Sequence, residues 1–144
     1  MHENDIGTIV IDTAIALHRQ LGPGLLETVY EVTLAYELSQ YGLTVARQVP
    51  ISINYKGIAF DEAFRADLLL DDKVILEIKS IAMLTKVHQK QLLTYLRLTG
   101  RKLGYLLNFG SNTMVEGIIR VVNGLEENPD YTRKQFKNTH SPES

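Results

Sequence analysis

The stretch Phe64-Arg65-Ala66-Asp67-Leu68-Leu69-Leu70-Asp71-Asp72-Lys73-Val74-Ile75-Leu76-Glu77-Ile78-Lys79 decides how this chain is read. Two short apolar runs, Phe64 to Leu70 and Val74 to Ile78, flank an acidic turn, and both read as β-strands. Side chains two apart on a strand share a face, so Glu77 and Lys79 point the same way while Ile78 points into a core. Were Asp71-Asp72 a two-residue turn, Asp67 would pair with Leu76 and face away from Glu77. A three-residue connection, Asp71-Asp72-Lys73, instead pairs Leu70 with Val74 and Asp67 with Glu77. That register predicts Arg65, Asp67, Glu77 and Lys79 on one face, and Ala66, Leu68, Leu76 and Ile78 on the other.

Two converging carboxylates beside an ammonium group make a cradle for a divalent metal and a phosphate. Hard ions such as Mg²⁺ bind through one or two carboxylates plus substrate phosphates. The pattern points to metal-dependent phosphodiester chemistry. The plainer reading makes these residues solvent-facing, with a Glu77–Lys79 surface pair worth little. Asp and Glu are poor strand formers, however, and here they stand inside apolar runs.

Upstream, Ile6, Ile9, Val10, Thr13, Ala14, Leu17 and Leu21 recur at helical spacing over 5–21. Gly22-Pro23-Gly24 stops that helix. A second helix is predicted over 25–40, with Leu26, Val29, Tyr30, Leu34 and Leu38 as apolar positions. Val49, Ile51, Ile53 and Tyr55 alternate with polar residues or Pro50, as in a half-buried strand, and Lys56-Gly57 signals a turn. The next strand covers 58–70, with an interruption expected near Asp61-Glu62, and a third covers 73–79. A helix over 85–99 ends at Gly100, a strand follows over 103–109, and a short helix is expected over 113–122. The order α-α-β-β-β-α-β-α implies an antiparallel meander followed by a right-handed β-α-β crossover.

The 144 residues, 44% hydrophobic, suit one globular domain, which at this size buries roughly two-thirds of its unfolded surface. Residues 1–122 are read as that domain. Residues 123–144, poor in large apolar side chains, are read as a solvated tail. No apolar run approaches the roughly 18–20 residues that span a bilayer, and the polar N-terminus lacks the pattern of a secretory signal. The chain contains no cysteine, which removes disulfides and thiolate metal sites and agrees with a cytoplasmic setting. The net charge of −2 leaves no large basic surface, so nucleic-acid contact would need local clustering, a metal, a second copy of the chain or a protein partner.

Asp67, then Glu77-x-Lys79, on consecutive strands of an αβββαβ core, resembles the PD-(D/E)XK nuclease superfamily. The closer resemblance is to its GxxExxY family, whose motif stands here as Gly24-Leu25-Leu26-Glu27-Thr28-Val29-Tyr30. The similarity runs from about Asp5 to Val121. It includes Phe64 to Asp67, Glu77-Ile78-Lys79-Ser80, Gln91-Leu92-Leu93-Thr94-Tyr95 and Asn108-Phe109-Gly110. Ala66 stands where the superfamily's eponymous proline would be. The resemblance implies a mixed α/β, restriction-endonuclease-like fold: an αβββαβ core with a mixed four-stranded sheet flanked by helices. It further implies that Asp67 and Glu77 bind Mg²⁺ or Mn²⁺, with the main-chain carbonyl of Ile78. Lys79 would orient the attacking water or neutralise the scissile phosphate. Glu27 resembles the helix-borne acid that completes the site, and would approach from a helix beside the polar face. Gln91-x-x-x-Tyr95 resembles a motif near the metal and the nucleic-acid strand.

Each role has a plainer competitor. Glu27 sits in a first helical turn, where an acid suits the positive dipole end. Arg65 would hold Asp67 or touch a phosphate. At about 100° per residue, Lys90, Arg97 and Arg101 fall within about 60° of Lys86, a stripe that is either a solvated face or a phosphate guide. His88 either stands behind the site residues or is merely exposed, and His18 suits a helix C-terminus. The expected function is metal-dependent hydrolysis of phosphodiester bonds in nucleic acid. The leading alternative is a non-catalytic nucleic-acid-binding or regulatory module that retains the fold. A small-molecule phosphoesterase is a third, weaker reading.

Overall fold

The computed structural model of the protein describes residues 1–126, so most of the predicted tail, 127–144, lies outside the described residues. Its elements are α1 (Glu3–Leu21), α2 (Glu27–Ser39), β1 (Val45–Tyr55), β2 (Ile58–Leu70), β3 (Val74–Lys79), α3 (Lys86–Thr99), β4 (Leu103–Asn108) and β5 (Ile118–Val122). The strands form one sheet in the order β1-β2-β3-β4-β5. Only β3 and β4 run parallel, joined across α3, and the other neighbours are antiparallel. This is a restriction-endonuclease-like arrangement with five strands in its sheet, not the four expected.

The fifth strand replaces the helix expected over 113–122. Only Val115–Gly117 turns as a 3-10 helix, and Ile118–Val122 is strand. Val115, Ile118, Ile119 and Val122 fit helical spacing, which misleads a reading from periodicity. The β-branched run has another solution beside β4, where Ile118 enters one core cluster and Ile119 and Val121 enter the other. Strand β1 also starts at Val45, ahead of the expected Val49. Strand β2 is continuous, yet two steps along β1 from Ile51 to Ile53 match four along β2, from Phe64 to Phe60. The irregularity therefore falls around Asp61–Ala63, where an interruption was expected.

Two cores sandwich the sheet. On one face α1 and α2 bring Ile6, Val10, Tyr30, Leu34 and Leu38 against Leu68, Leu76, Ile78 and Tyr105. On the other, Leu92 and Leu96 of α3 meet Ala66, Leu69, Ile75 and Leu106. The helix ends obey local chemistry. Thr85 and His88 form a reciprocal capping box on α3, and Gly100 closes it in the left-handed region with φ 68°. His88 thus has a structural task. His18 is buried near the end of α1, with Nε2 2.9 Å from the Ser111 carbonyl.

The hairpin between β2 and β3 has the predicted odd connection, with Leu70 opposite Val74 and Leu68 opposite Leu76. Asp71 and Asp72 both take positive φ, at 50° and 57°, a conformation that Asp tolerates better than most side chains. Beyond Lys79 the chain is clamped by Asn108, which is 1% exposed. Its amide accepts from the N–H groups of Ile81 and Gly110 at 3.0 and 3.1 Å and donates to the Ile81 carbonyl at 3.0 Å. The close approach needs Gly110, because a Cβ there would lie 2.2 Å from the Ile81 carbonyl oxygen. Gly110→Ala is expected to destabilise the fold by about 1–3 kcal/mol through backbone displacement. Urea denaturation checks this, and an unchanged midpoint would contradict the clamp.

Candidate active site

The site forms where β2 and β3 part. Their ladder would continue from Leu68–Leu76 to Asp67–Glu77, but it stops short of that pair. The Asp67 side chain takes over: its Oδ2 accepts the Ile78 main-chain N–H at 2.7 Å. A strand residue presents its N–H and C=O to the same side, so the Ile78 carbonyl also faces this gap. The parting has a signature in the packing. Ala66 joins the α3-side cluster whereas Leu68, two residues on, joins the α1/α2 side. A regular strand would keep both on one face. Asp67 therefore stands at a point where β2 rolls over. This corrects the expected grouping of Ala66 with Leu68, Leu76 and Ile78.

Glu77 follows Ile75 in alternation and so lies on the α3 side, with 9% of its surface exposed. Its Oε1 is buried without a hydrogen-bond partner among the described residues. Its pKa is pushed up to about 9 from an ordinary 4.5. Burial is the main cause, followed by the charge of Asp67 and hydrogen-bonding contact with the Asp67 side chain; the Lys79 ammonium and the Asp67 main chain act in the opposite direction. Tyr95 is raised from its ordinary value by burial and then by Glu77 and Asp67, which puts it within their electrostatic reach. Its ring lies flat on Phe64, centroids 3.8 Å apart. The structure thus gathers Asp67, Glu77, Lys79 and Tyr95 about one gap.

Other expected site residues stand apart from it. Arg65 is exposed and ion-paired with Glu62, not with Asp67. Gln91, Lys86 and Lys90 are exposed on α3 and make no hydrogen bond through their side chains among the described residues. Glu27 is the first residue of α2, exposed and without a hydrogen bond or ion pair among the described residues. Helix α2 packs on the Leu68–Leu76–Ile78 face, across the sheet from Glu77, so it does not approach from the polar face as expected. The loop before it does reach the end of β3, where Ser80 Oγ donates to the Leu25 carbonyl at 2.7 Å. Tyr30 shapes that loop. Its hydroxyl donates to the Gly22 carbonyl at 2.5 Å and accepts from the Leu25 N–H at 3.1 Å, while its ring stacks on Phe109 with centroids 4.5 Å apart.

Sequence reasoning missed Glu31, Arg47 and Gln48. Glu31 is 5% exposed and accepts from Arg47 at 2.9 and 3.2 Å and from Gln48 at 2.7 Å. The Gln48 amide also donates to Asp67 Oδ1 at 3.2 Å. A signal existed: Glu31 lies on the same helical stripe as Leu34, Leu38 and Glu27, and a carboxylate in a buried stripe needs partners.

The residues fit a hard divalent ion. Two adjacent carboxyl groups, one with an orphaned oxygen, can both be ionised only at a cost that a cation would offset, and a carbonyl faces the same gap. No group of three or more His, Cys, Asp or Glu gathers for a metal among the described residues. No helix among the described residues is long and apolar enough to cross a membrane.

The family model of the PD-(D/E)XK nuclease superfamily matches residues 4–121. No curated protein matches the chain. A crystal structure of SSO0001 is similar over 89% of this chain and 70% of its own, at 19% identity and a TM-score of 0.49.

The raised Glu77 pKa carries a pH signature. Between 4.5 and about 9 the folded metal-free chain holds a proton that the unfolded chain has released. Its contribution to stability is complete below 4.5 and is lost as pH rises toward 9, with a slope of at most about 1.4 kcal/mol per pH unit. Glu77→Gln removes that slope. In calorimetric melts without metal, the variant is expected to exceed wild type by several degrees at about pH 8, with the margin shrinking toward about pH 5. A margin independent of pH would contradict the protonated, buried Glu77.

Proposed function

The chain belongs to the PD-(D/E)XK nuclease superfamily, and from that premise we propose that it hydrolyses phosphodiester bonds in nucleic acid with Mg²⁺ or Mn²⁺. The observation that carries the reading is the Asp67–Glu77 pair at the parting of β2 and β3, with a buried unpartnered oxygen, beside Lys79. The finer placement in the GxxExxY branch is supported by Gly24, Glu27 and Tyr30 at the motif spacing.

In this reading Asp67, Glu77 and the Ile78 carbonyl hold the ion, which supplies Lewis-acid polarisation of the scissile phosphate. The remaining work belongs to the chain. Lys79, half-buried beside Glu77, places a positive charge where the phosphate gains negative charge, or orients the attacking water. Tyr95, fixed on Phe64, offers a hydroxyl within the field of the two acids. Lys86, Lys90 and Arg97 are exposed and without ion pairs among the described residues, so they are available to a phosphate backbone approaching along α3. Glu27, at the edge of the same end of β3, stays in the reading as an acid that a bound ion or substrate would draw in. With a net charge of −2, a second copy or a protein partner would add the remaining basic surface. A cytoplasmic setting accords with the lack of cysteine.

The test is a cleavage panel of single- and double-stranded DNA and RNA with Mg²⁺ or Mn²⁺. Lys79→Ala is expected to lower the rate about 10²–10³-fold while leaving the fold and Mn²⁺ affinity near wild type. A variant as fast as wild type would remove Lys79 from the mechanism. Nucleic-acid binding without cleavage throughout the panel would favour the non-catalytic module. Asp67→Ala and Glu77→Ala are each expected to weaken Mn²⁺ binding in calorimetry by roughly tenfold or more, because a direct ligand should matter at least as much as the groups behind it. Unchanged binding in both would remove the metal site.

A further inference from the structure

Gln48 is out of place in its strand. It takes φ 51° in the middle of β1, in the left-handed region that side chains other than Gly, Asn and Asp seldom enter. Such a residue often absorbs an inserted position, but Gln48 does not. Arg47 pairs with Leu68 and Val49 with Ala66, so the register is the same on both sides of it. Between those two pairs the Gln48–Asp67 step is missing. Backbone strain of this kind persists where the surroundings impose it, and it clusters at functional sites.

The side chain shows what the strain achieves. The carboxamide nitrogen donates to Glu31 Oε1 at 2.7 Å and to Asp67 Oδ1 at 3.2 Å. An NH₂ group has two hydrogens, and both find carboxylate oxygens here. Glu31 is a firm anchor, since it is buried and its other oxygen is held by Arg47. Asp67 is thereby gripped from two sides, by Gln48 on Oδ1 and by the Ile78 N–H on Oδ2. The donor is also neutral. A lysine or arginine in its place would hold Asp67 as well but would compete with a bound cation for the same charge.

We propose that Gln48 is a positioning residue, whose carboxamide, anchored on Glu31, holds the Asp67 carboxylate in the orientation that meets Glu77. The proposal rests on the reading of Asp67 and Glu77 as cation ligands, and it adds to them a path from a buried helical acid to the site. Groups behind metal ligands commonly change metal affinity or activity about 10–100-fold when removed.

Two variants separate the amide from the backbone. Gln48→Met keeps the Cβ and the length of the side chain but cannot donate. Gln48→Gly also removes the donor and relieves the left-handed φ. Both are expected to weaken Mn²⁺ binding in calorimetry about 10–100-fold. Both are also expected to speed hydrogen exchange of the Ile78 amide in the metal-free protein by about tenfold, one lost hydrogen bond of ~1.4 kcal/mol, while that of Leu70 stays unchanged. Gln48→Gly should melt no lower than Gln48→Met, so its loss of affinity cannot be put down to unfolding. A merely structural Gln48 would leave Mn²⁺ affinity and Ile78 exchange within about twofold of wild type in the folded variants, and that result overturns the proposal. If wild type binds Mn²⁺ but cleaves nothing, the nuclease reading fails while affinity and exchange still decide the role of Gln48. If wild type binds no Mn²⁺, the metal site fails, and unchanged Ile78 exchange in the variants then overturns the positioning role as well.

Discussion

One hydrogen bond organises this site: the main-chain N–H of Ile78 given to a side-chain carboxylate, Asp67, at 2.7 Å. In a continued ladder that donor would serve the backbone of β2. A bond to a charged acceptor is worth about 1.5–3 kcal/mol, enough to compensate for the interrupted pairing. Once made, it ends the ladder at Leu68–Leu76 and lets β2 roll, so that Ala66 and Leu68 serve opposite cores. Glu77 is then left buried beside a second carboxylate, with one oxygen unanswered. The polar gap is a product of the sheet's own departure from regularity.

Irregularity of this kind survives only in a rigid frame. Strand β3 runs between β2 and β4, and residues Val74 to Ile78 are buried on both faces. Past Lys79, the Asn108 amide and the Ser80–Leu25 contact secure the departing chain. A left-handed Gln48 and a buried acid held in its protonated form beside a second carboxylate are thereby tolerated, as sites commonly tolerate what a scaffold would reject.

Much of this was legible in the residues. Apolar alternation and the acidic turn predicted the register of β2 and β3, because a one-residue slip would have sent Asp67 and Glu77 to opposite faces. The helices were legible from their periodicity and their glycine stops. Strand β5 was not, since Val115 to Val122 satisfies helical and extended spacing alike, and only the free edge of β4 chooses between them. The roll at Asp67 was not legible either. Alternation assumes a regular strand, so it placed Ala66 wrongly and gave Arg65 a neighbour it lacks. Gln48 stayed hidden because its role arises from a backbone torsion and a contact between distant segments, whereas the buried stripe of α2 marked Glu31 without naming its partners.

The motif from Gly24 to Tyr30 mixes two kinds of residue. Tyr30 ties down the Gly22–Leu25 loop, and Gly24, at φ 102°, gives it a bend that a side chain would resist, whereas the Glu27 side chain makes no hydrogen bond or ion pair among the described residues. Two of its three named letters therefore record architecture. In this chain the glycine and the tyrosine serve the loop whatever the acids of the gap do. Most of what stands between Gly24 and Tyr30 thus tells how this chain turns into its second helix, and competence for chemistry has to be read separately, from the parting of two strands farther along.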